Sequence, residues 1–154
     1  MPRSLLMLPQ RERAIPATAQ KREAGFWRQM KEGLAKTDRN LNTTRLETWA
    51  TPGIPDVLIC DERGAFHFVE LKATAGNAVE LRPHQVAWMV NHRRASVWVL
   101  VKKVPTKNAA QQVFLFHGDR AVDLKMEGLT AVEPAYHAEG HFDWQQIIDL
   151  ICPR

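Results

Sequence analysis

Apolar residues recur at helical spacing between Lys21 and Lys36, where Phe26, Trp27, Met30 and Leu34 share one stripe. Arg28, Gln29, Lys31 and Glu32 fall off that stripe, so the segment is predicted to be an amphipathic helix. One acid breaks the pattern: Glu23 falls in the middle of the apolar face. Residues 43–50 read as a strand that ends at a Pro52-Gly53 turn. Ile54 to Cys60 reads as a second strand, with Pro55 tolerated at its start. Asp61-Glu62-Arg63-Gly64 is a hairpin turn, with a glycine available for positive φ. Residues 65–72 alternate as a third strand. Phe66, Phe68, Glu70 and Lys72 take one face, and His67, Val69 and Leu71 the other.

Residues 82–93 are expected to form a helix with Pro83 in its first turn, and 96–102 a buried strand. Val113 to Phe116 reads as a short strand. A last helix is expected over Asp143 to Ile151, where Trp144, Ile147, Ile148 and Ile151 stand at helical spacing. The predicted order is α-β-β-β-α-β-β-α. That order describes a single α/β domain: a small central mixed sheet flanked by helices. Residues 1–20, with Pro9 and Pro16 opposing helix, read as an N-terminal tail, and 21–154 as the domain.

Length and charge narrow the partners. The 154 residues make one domain's worth of chain, 45% hydrophobic and 25% charged. The net charge is +4, and it is local: residues 1–40 hold nine Lys and Arg against four acids. That segment is expected to contact phosphates. No apolar run approaches the ~18 residues of a membrane span. Cys60 and Cys152 stand far apart with no secretory signal, so a reducing, cytoplasmic setting is expected. The chain carries no nucleophile elbow, Walker loop or GxGxxG. His137 and His141 have ligand-like spacing, but Gly140 lies between them and no cysteine is near. His84, His92 and His117 read as surface residues.

The chemistry concentrates at one place. Asp56 opens a strand, and Glu70-Leu71-Lys72 ends its hairpin partner. Antiparallel pairing brings Asp56 beside Glu70 and Lys72 at one end of the sheet. Close carboxylates are costly without a compensating cation, and hard oxygen ligands select Mg²⁺ or Mn²⁺. A lysine on the same face can orient a water or stabilise charge on a phosphate.

Pro55-Asp56, thirteen residues, then Glu70-x-Lys72 resembles the PD-(D/E)xK nuclease superfamily. The fuller pattern adds Gly53-Ile54 before Pro55 and Leu81-Arg82-Pro83-His84-Gln85 after the strand. It is similar to the VRR-Nuc type of bacteriophages and repair nucleases. It also resembles archaeal Holliday-junction resolvases, which carry a glutamate at the start of the first helix followed by apolar residues, here Glu23, Phe26, Trp27 and Met30. The likeness covers roughly residues 21–103.

The resemblance implies a restriction-endonuclease-like core (α-β-β-β-α-β) and a metal-dependent DNA endonuclease. Asp56, Glu70 and the Leu71 carbonyl would bind Mg²⁺, with Mn²⁺ as a substitute, and Glu23 would join through water or a second ion. Lys72 would position the attacking water, and Gln85 would reach the metal water or phosphate. Lys21, Arg22, Arg82, Lys102 and Lys103 would grip the backbone. Glu47 rivals Glu23 as the fourth acid. Loop 73–80, directly after the catalytic strand, is placed to act as a lid or to contact the strand exchange region. A junction resolvase needs two symmetric cuts, so a homodimer on branched DNA is expected. Trp98, the last helix and the tail are candidate dimer faces. The alternatives are nicking, flap or restriction-type cleavage, or non-catalytic nucleic-acid binding. Small stand-alone modules of this kind point to a phage, acting in the host cytoplasm.

Overall fold

The computed structural model describes residues 17–47 and 50–154. The elements in chain order are α1 (Ala17–Ala35), β1 (Asn42–Arg45), β2 (Val57–Cys60), β3 (Phe66–Thr74), α2 (Pro83–Asn91), β4 (Val97–Lys103), β5 (Gln112–His117), α3 (Ala121–Glu127), β6 (Tyr136–Glu139) and α4 (Trp144–Ile151). A short 3-10 turn, Gly118–Arg120, precedes α3. The strands form one sheet in the order β1-β2-β3-β4-β5-β6. β3 and β4 are parallel, joined by α2 as the crossover, and every other neighbouring pair is antiparallel. The chain is therefore a single small α/β domain with a mixed sheet flanked by helices.

Each face of the sheet carries its own core. On one side Phe26, Met30 and Leu34 of α1 and Ile147, Ile148 and Ile151 of α4 pack on Val57, Ile59, Val69, Leu71, Leu100 and Leu115. On the other, Met89 of α2 and Leu124 of α3 pack on Val97, Val99, Val101, Phe114 and Phe116. The alternation within β3 to β5 sends neighbouring apolar residues to opposite cores, which explains their nearly unbroken apolar runs. At about 25 cal/mol per Å² of apolar surface, these two layers supply most of the folding drive.

Gly33 lets α1 and α4 meet: a Cβ there would lie 2.1 Å from Cδ1 of Trp144. Arg39 ties the far end together. Its guanidinium bonds Glu62 at 3.0 Å, Asp149 at 2.8 Å and the Cys152 carbonyl at 2.8 Å.

Several expected boundaries move. α1 begins at Ala17 rather than Lys21, so the expected limit between tail and domain falls inside the helix. Ala17 and Ala19 have the highest helix propensity, and nothing between them and Lys21 breaks it. The rest of the expected tail lies outside the described residues. β1 stops at Arg45, and β2 starts at Val57 rather than Ile54. Gly53, at φ 94°, and Pro55, with no N–H, hold the intervening chain out of the ladder. Thr48 and Trp49, near the end of the strand expected over 43–50, lie outside the described residues. α3 and β6 have no counterpart in the predicted order, which lacks two elements.

Candidate active site

β3 outruns its partner. The last β2–β3 pair is Val57↔Val69, while β3 continues to Thr74 against β4 alone. Along β3, the N–H of Phe68 faces β4, bonding Ser96 O at 2.9 Å. The odd-numbered residues therefore face the β2 side. Beyond Val69 that side has no strand, and the Leu71 N–H is taken instead by Asp56 Oδ2 at 3.1 Å. Asp56 thus completes the ladder with its side chain. The Leu71 carbonyl points to the same open edge, because a strand residue's N–H and C=O share a side.

Glu70 and Lys72 stand on the opposite face from Leu71 and are almost fully enclosed, at 1% and 6% exposure. Lys72 Nζ lies 3.5 Å from Glu70 Oε1 and 3.9 Å from Glu23 Oε1. Glu23 comes from α1, on the other side of the sheet, and reaches Lys72 past the open edge left by β2. Gln85, in the first turn of α2, is fixed by two hydrogen bonds. Its Oε1 accepts the Arg82 N–H at 2.9 Å, which leaves Nε2 to donate to Glu70 Oε1 at 2.7 Å. Gly53 locks this corner. A Cβ there would lie 2.2 Å from the His84 carbonyl, so the chain leading to Asp56 sits directly on the start of α2.

One atom in this cluster stands out. Glu70 Oε2 is buried and has no hydrogen-bond partner. Buried polar atoms are nearly always partnered, so an orphan marks a place for a missing ligand. Burial pushes the Glu70 carboxyl well above the usual carboxylate range, and the charge of Asp56 adds to that push. Burial also raises Glu23, while the charge of Lys72 opposes it, followed by smaller contributions from Asp56, Arg45 and Arg82. A divalent cation would reverse both trends. The available donors are Asp56, Glu70, Glu23 and the Leu71 carbonyl, all hard oxygens, and the set fits Mg²⁺ or Mn²⁺.

The structure brings Glu23, Asp56, Glu70, Lys72 and Gln85 together as one cluster. Glu47 is exposed and lies just after β1 rather than within it. Gln85 bonds a carboxylate, whereas the resemblance implied a metal water or phosphate. Lys21 and Arg22 are exposed on the first turns of α1, and Arg82 caps α2 at the same end. Lys103 pairs with Thr74 where β3 and β4 end. Lys102 lies half-buried on the α1 side of β4 and donates to Gln29 Oε1 at 2.7 Å, and burial lowers its pKa.

Loop 73–80 is no free lid. Asn77 accepts from Leu129 N and Thr130 N, both at 2.9 Å, and Val79 is buried. His137 bonds Gln112 at 2.9 Å and stacks on Phe114. Among the dimer candidates, α4 spends its apolar side within the core, and Trp98 donates to Ser96 at 3.0 Å.

A second buried cluster lies farther back on β3. Ligating atoms of Asp61, His67 and Cys152 all fall within 4.8 Å of one another. His67 Nε2 donates to Asp61 Oδ2 at 2.9 Å, and its Nδ1 bonds Ser96 Oγ at 2.6 Å. Asp61 Oδ1 accepts from Arg63 N and Ala65 N. Burial pushes the Cys152 thiol up to about 12. These bonds tie the β2–β3 turn to the start of β4, and Ser96 Oγ carries the link on to the Ile151 carbonyl.

No protein family, curated protein or solved structure matches the chain. Arg45 is the residue that sequence reasoning missed. It ends β1 opposite Val57, one position from Asp56 across the ladder, and its charge acts on Glu23.

Proposed function

We propose that the protein is a metal-dependent DNA endonuclease of the PD-(D/E)xK kind. The observation that carries this reading is the orphan Glu70 Oε2 inside a cluster of Asp56, Glu23 and Lys72. Asp56, Glu70 and the Leu71 carbonyl would hold the ion, with Glu23 beside it. Bound there, Mg²⁺ supplies charge stabilisation to a phosphodiester under attack, and Mn²⁺ substitutes for it.

The chain's own groups do the rest. Lys72 orients the attacking water and steadies negative charge on the phosphate. Gln85 fixes the rotation of the Glu70 carboxylate from the α2 side. Asp56, tied to the Leu71 N–H by one oxygen, keeps the other for the ion. Lys21, Arg22, Arg82 and Lys103 line the same end of the sheet for backbone phosphates. The substrate in this reading is branched DNA, cut by a homodimer with two sites. No helix among the described residues is long and apolar enough to cross a membrane.

The test is cleavage of a four-way junction, a flap, linear duplex and single strand, with Mg²⁺ and with EDTA. Paired symmetric nicks on the junction, lost in EDTA, are expected. Cleavage of the flap or duplex alone would move the substrate assignment and keep the chemistry. No cleavage of any substrate, with DNA still bound, would make the chain a binding protein instead.

A further inference from the structure

We infer that Arg45 is a phosphate-binding residue that grips the nucleic-acid backbone beside the acidic cluster; this rests on the nuclease reading above. Arg45 closes β1 in register with Val57, and the next residue, Leu46, donates its N–H to the Asp56 carbonyl at 2.7 Å. Directly paired residues share a face, so Arg45 projects with Val57 toward the α1 side, where Glu23 stands.

Arg45 is half-buried, and among the described residues its guanidinium has no hydrogen-bond or ion-pair partner. An arginine carries five N–H donors and keeps its charge at every working pH. Enclosing one without an anion is unfavourable, and a planar fork matches two phosphate oxygens. Arg39 and Lys102, two other basic residues on the α1 side, show the contrast: Arg39 is bonded to Glu62 and Asp149, and Lys102 to Gln29.

The charge balance explains why the position is useful. Three carboxylates, Glu23, Asp56 and Glu70, are met by Lys72, Arg45 and Arg82. A divalent ion then leaves the corner positive, and a phosphodiester restores the balance. Arg45 therefore opposes the ion slightly and favours the phosphate. Its removal has effects of different sign on the two ligands, which a merely structural residue would not show.

The test uses the full chain as wild type, Arg45→Gln and Arg45→Lys. Binding of a fluorescein-labelled four-way DNA junction is measured by anisotropy in Ca²⁺ across a salt series. Mn²⁺ binding without DNA is measured by electron paramagnetic resonance. Arg45→Gln is expected to weaken DNA binding by about ten- to hundredfold. It should also flatten the log–log salt dependence by ~0.9, with Mn²⁺ binding equal or tighter. Arg45→Lys should restore the salt slope but only part of the affinity.

Unchanged DNA affinity and slope in Arg45→Gln, with wild type binding both ligands, overturns this inference and leaves the nuclease reading standing. Loss of Mn²⁺ binding in Arg45→Gln overturns it too, since the residue would then hold the site together. Wild type that binds neither Mn²⁺ nor DNA removes the nuclease reading and this inference with it.

Discussion

β3 carries two buried polar clusters, and they differ in completeness. Around His67 every polar atom has a partner: both ring nitrogens are bonded, and Asp61 accepts three hydrogen bonds. Around Glu70 one carboxylate oxygen has none. The first cluster joins the β2–β3 turn to the starts of β3 and β4 and to the chain end. The second lies where β2 has run out and the sheet opens. A satisfied network rigidifies a fold, whereas an unsatisfied one stores unfavourable free energy that a ligand can relieve. Two clusters on one strand thus differ in how far their polar groups are satisfied, and their hydrogen-bond partners separate them.

The largest expected effects fall on the open cluster. Lys72→Ala and Asp56→Asn should each reduce Mg²⁺-dependent cleavage by about a thousandfold or more, with junction binding in Ca²⁺ retained. Single-turnover assays beside anisotropy check both halves, and full activity in either variant would move the site elsewhere.

The closed cluster should respond in stability instead. His67→Ala leaves Asp61 and Ser96 short of a partner and a buried gap beside them. It is expected to lose about 2–4 kcal/mol in urea unfolding, with cleavage per folded molecule unchanged. A fall in turnover at unaltered stability would erase the distinction between the clusters.

A smaller effect of opposite sign is expected at Glu70. Burial raises its carboxyl well above the ordinary 4.5, so the metal-free fold is favoured by a protonated Glu70. That contribution is whole below about pH 4.5 and is lost as pH rises through the folded value. Glu70→Gln should therefore stabilise the metal-free protein at pH 8 by about 1–2 kcal/mol, and the gain should vanish near pH 4. Thermal melts across pH decide this, and a variant less stable than wild type at pH 8 would contradict it.

The mildest test uses acid. The hydrogen bond from His67 holds Asp61 down at about 2, below its ordinary 3.8. Its contribution is present above 3.8 and fades as pH falls through about 2. Asp61→Asn should remove that part of the acid dependence, read as a shallower loss of melting temperature between about pH 4 and about pH 2.

The hairpin and its acids are legible in the sequence because their signals are local. Alternation over 65–72, a turn with Gly64 and the position of Asp56 together fix which residues meet. Glu23 is legible as an acid on an apolar stripe. α3 and β6 leave no such trace. α3 turns only Ala121 and Leu124 inward, while Val122 and Met126 are exposed, so its apolar residues follow no helical face. β6 buries Tyr136 and half-buries Ala138, too few to mark a strand. The bond from Lys102 to Gln29 is not legible because it depends on a helix placed over the strand end. Arg45 escapes notice because its meaning depends on a ladder register that no short segment encodes.

The bond from the Leu71 N–H to Asp56 has a consequence for motion. A surface carboxylate turns on nanosecond timescales, but this one is anchored to the sheet's own ladder. Its second oxygen therefore keeps its place for as long as the strand end stays closed. The Leu71 amide becomes a built-in clock for the site: its hydrogen exchange records each opening of the corner where the acids meet. An ion drawing on Asp56 and Glu70 should slow that exchange, while the amides around His67 keep their pace.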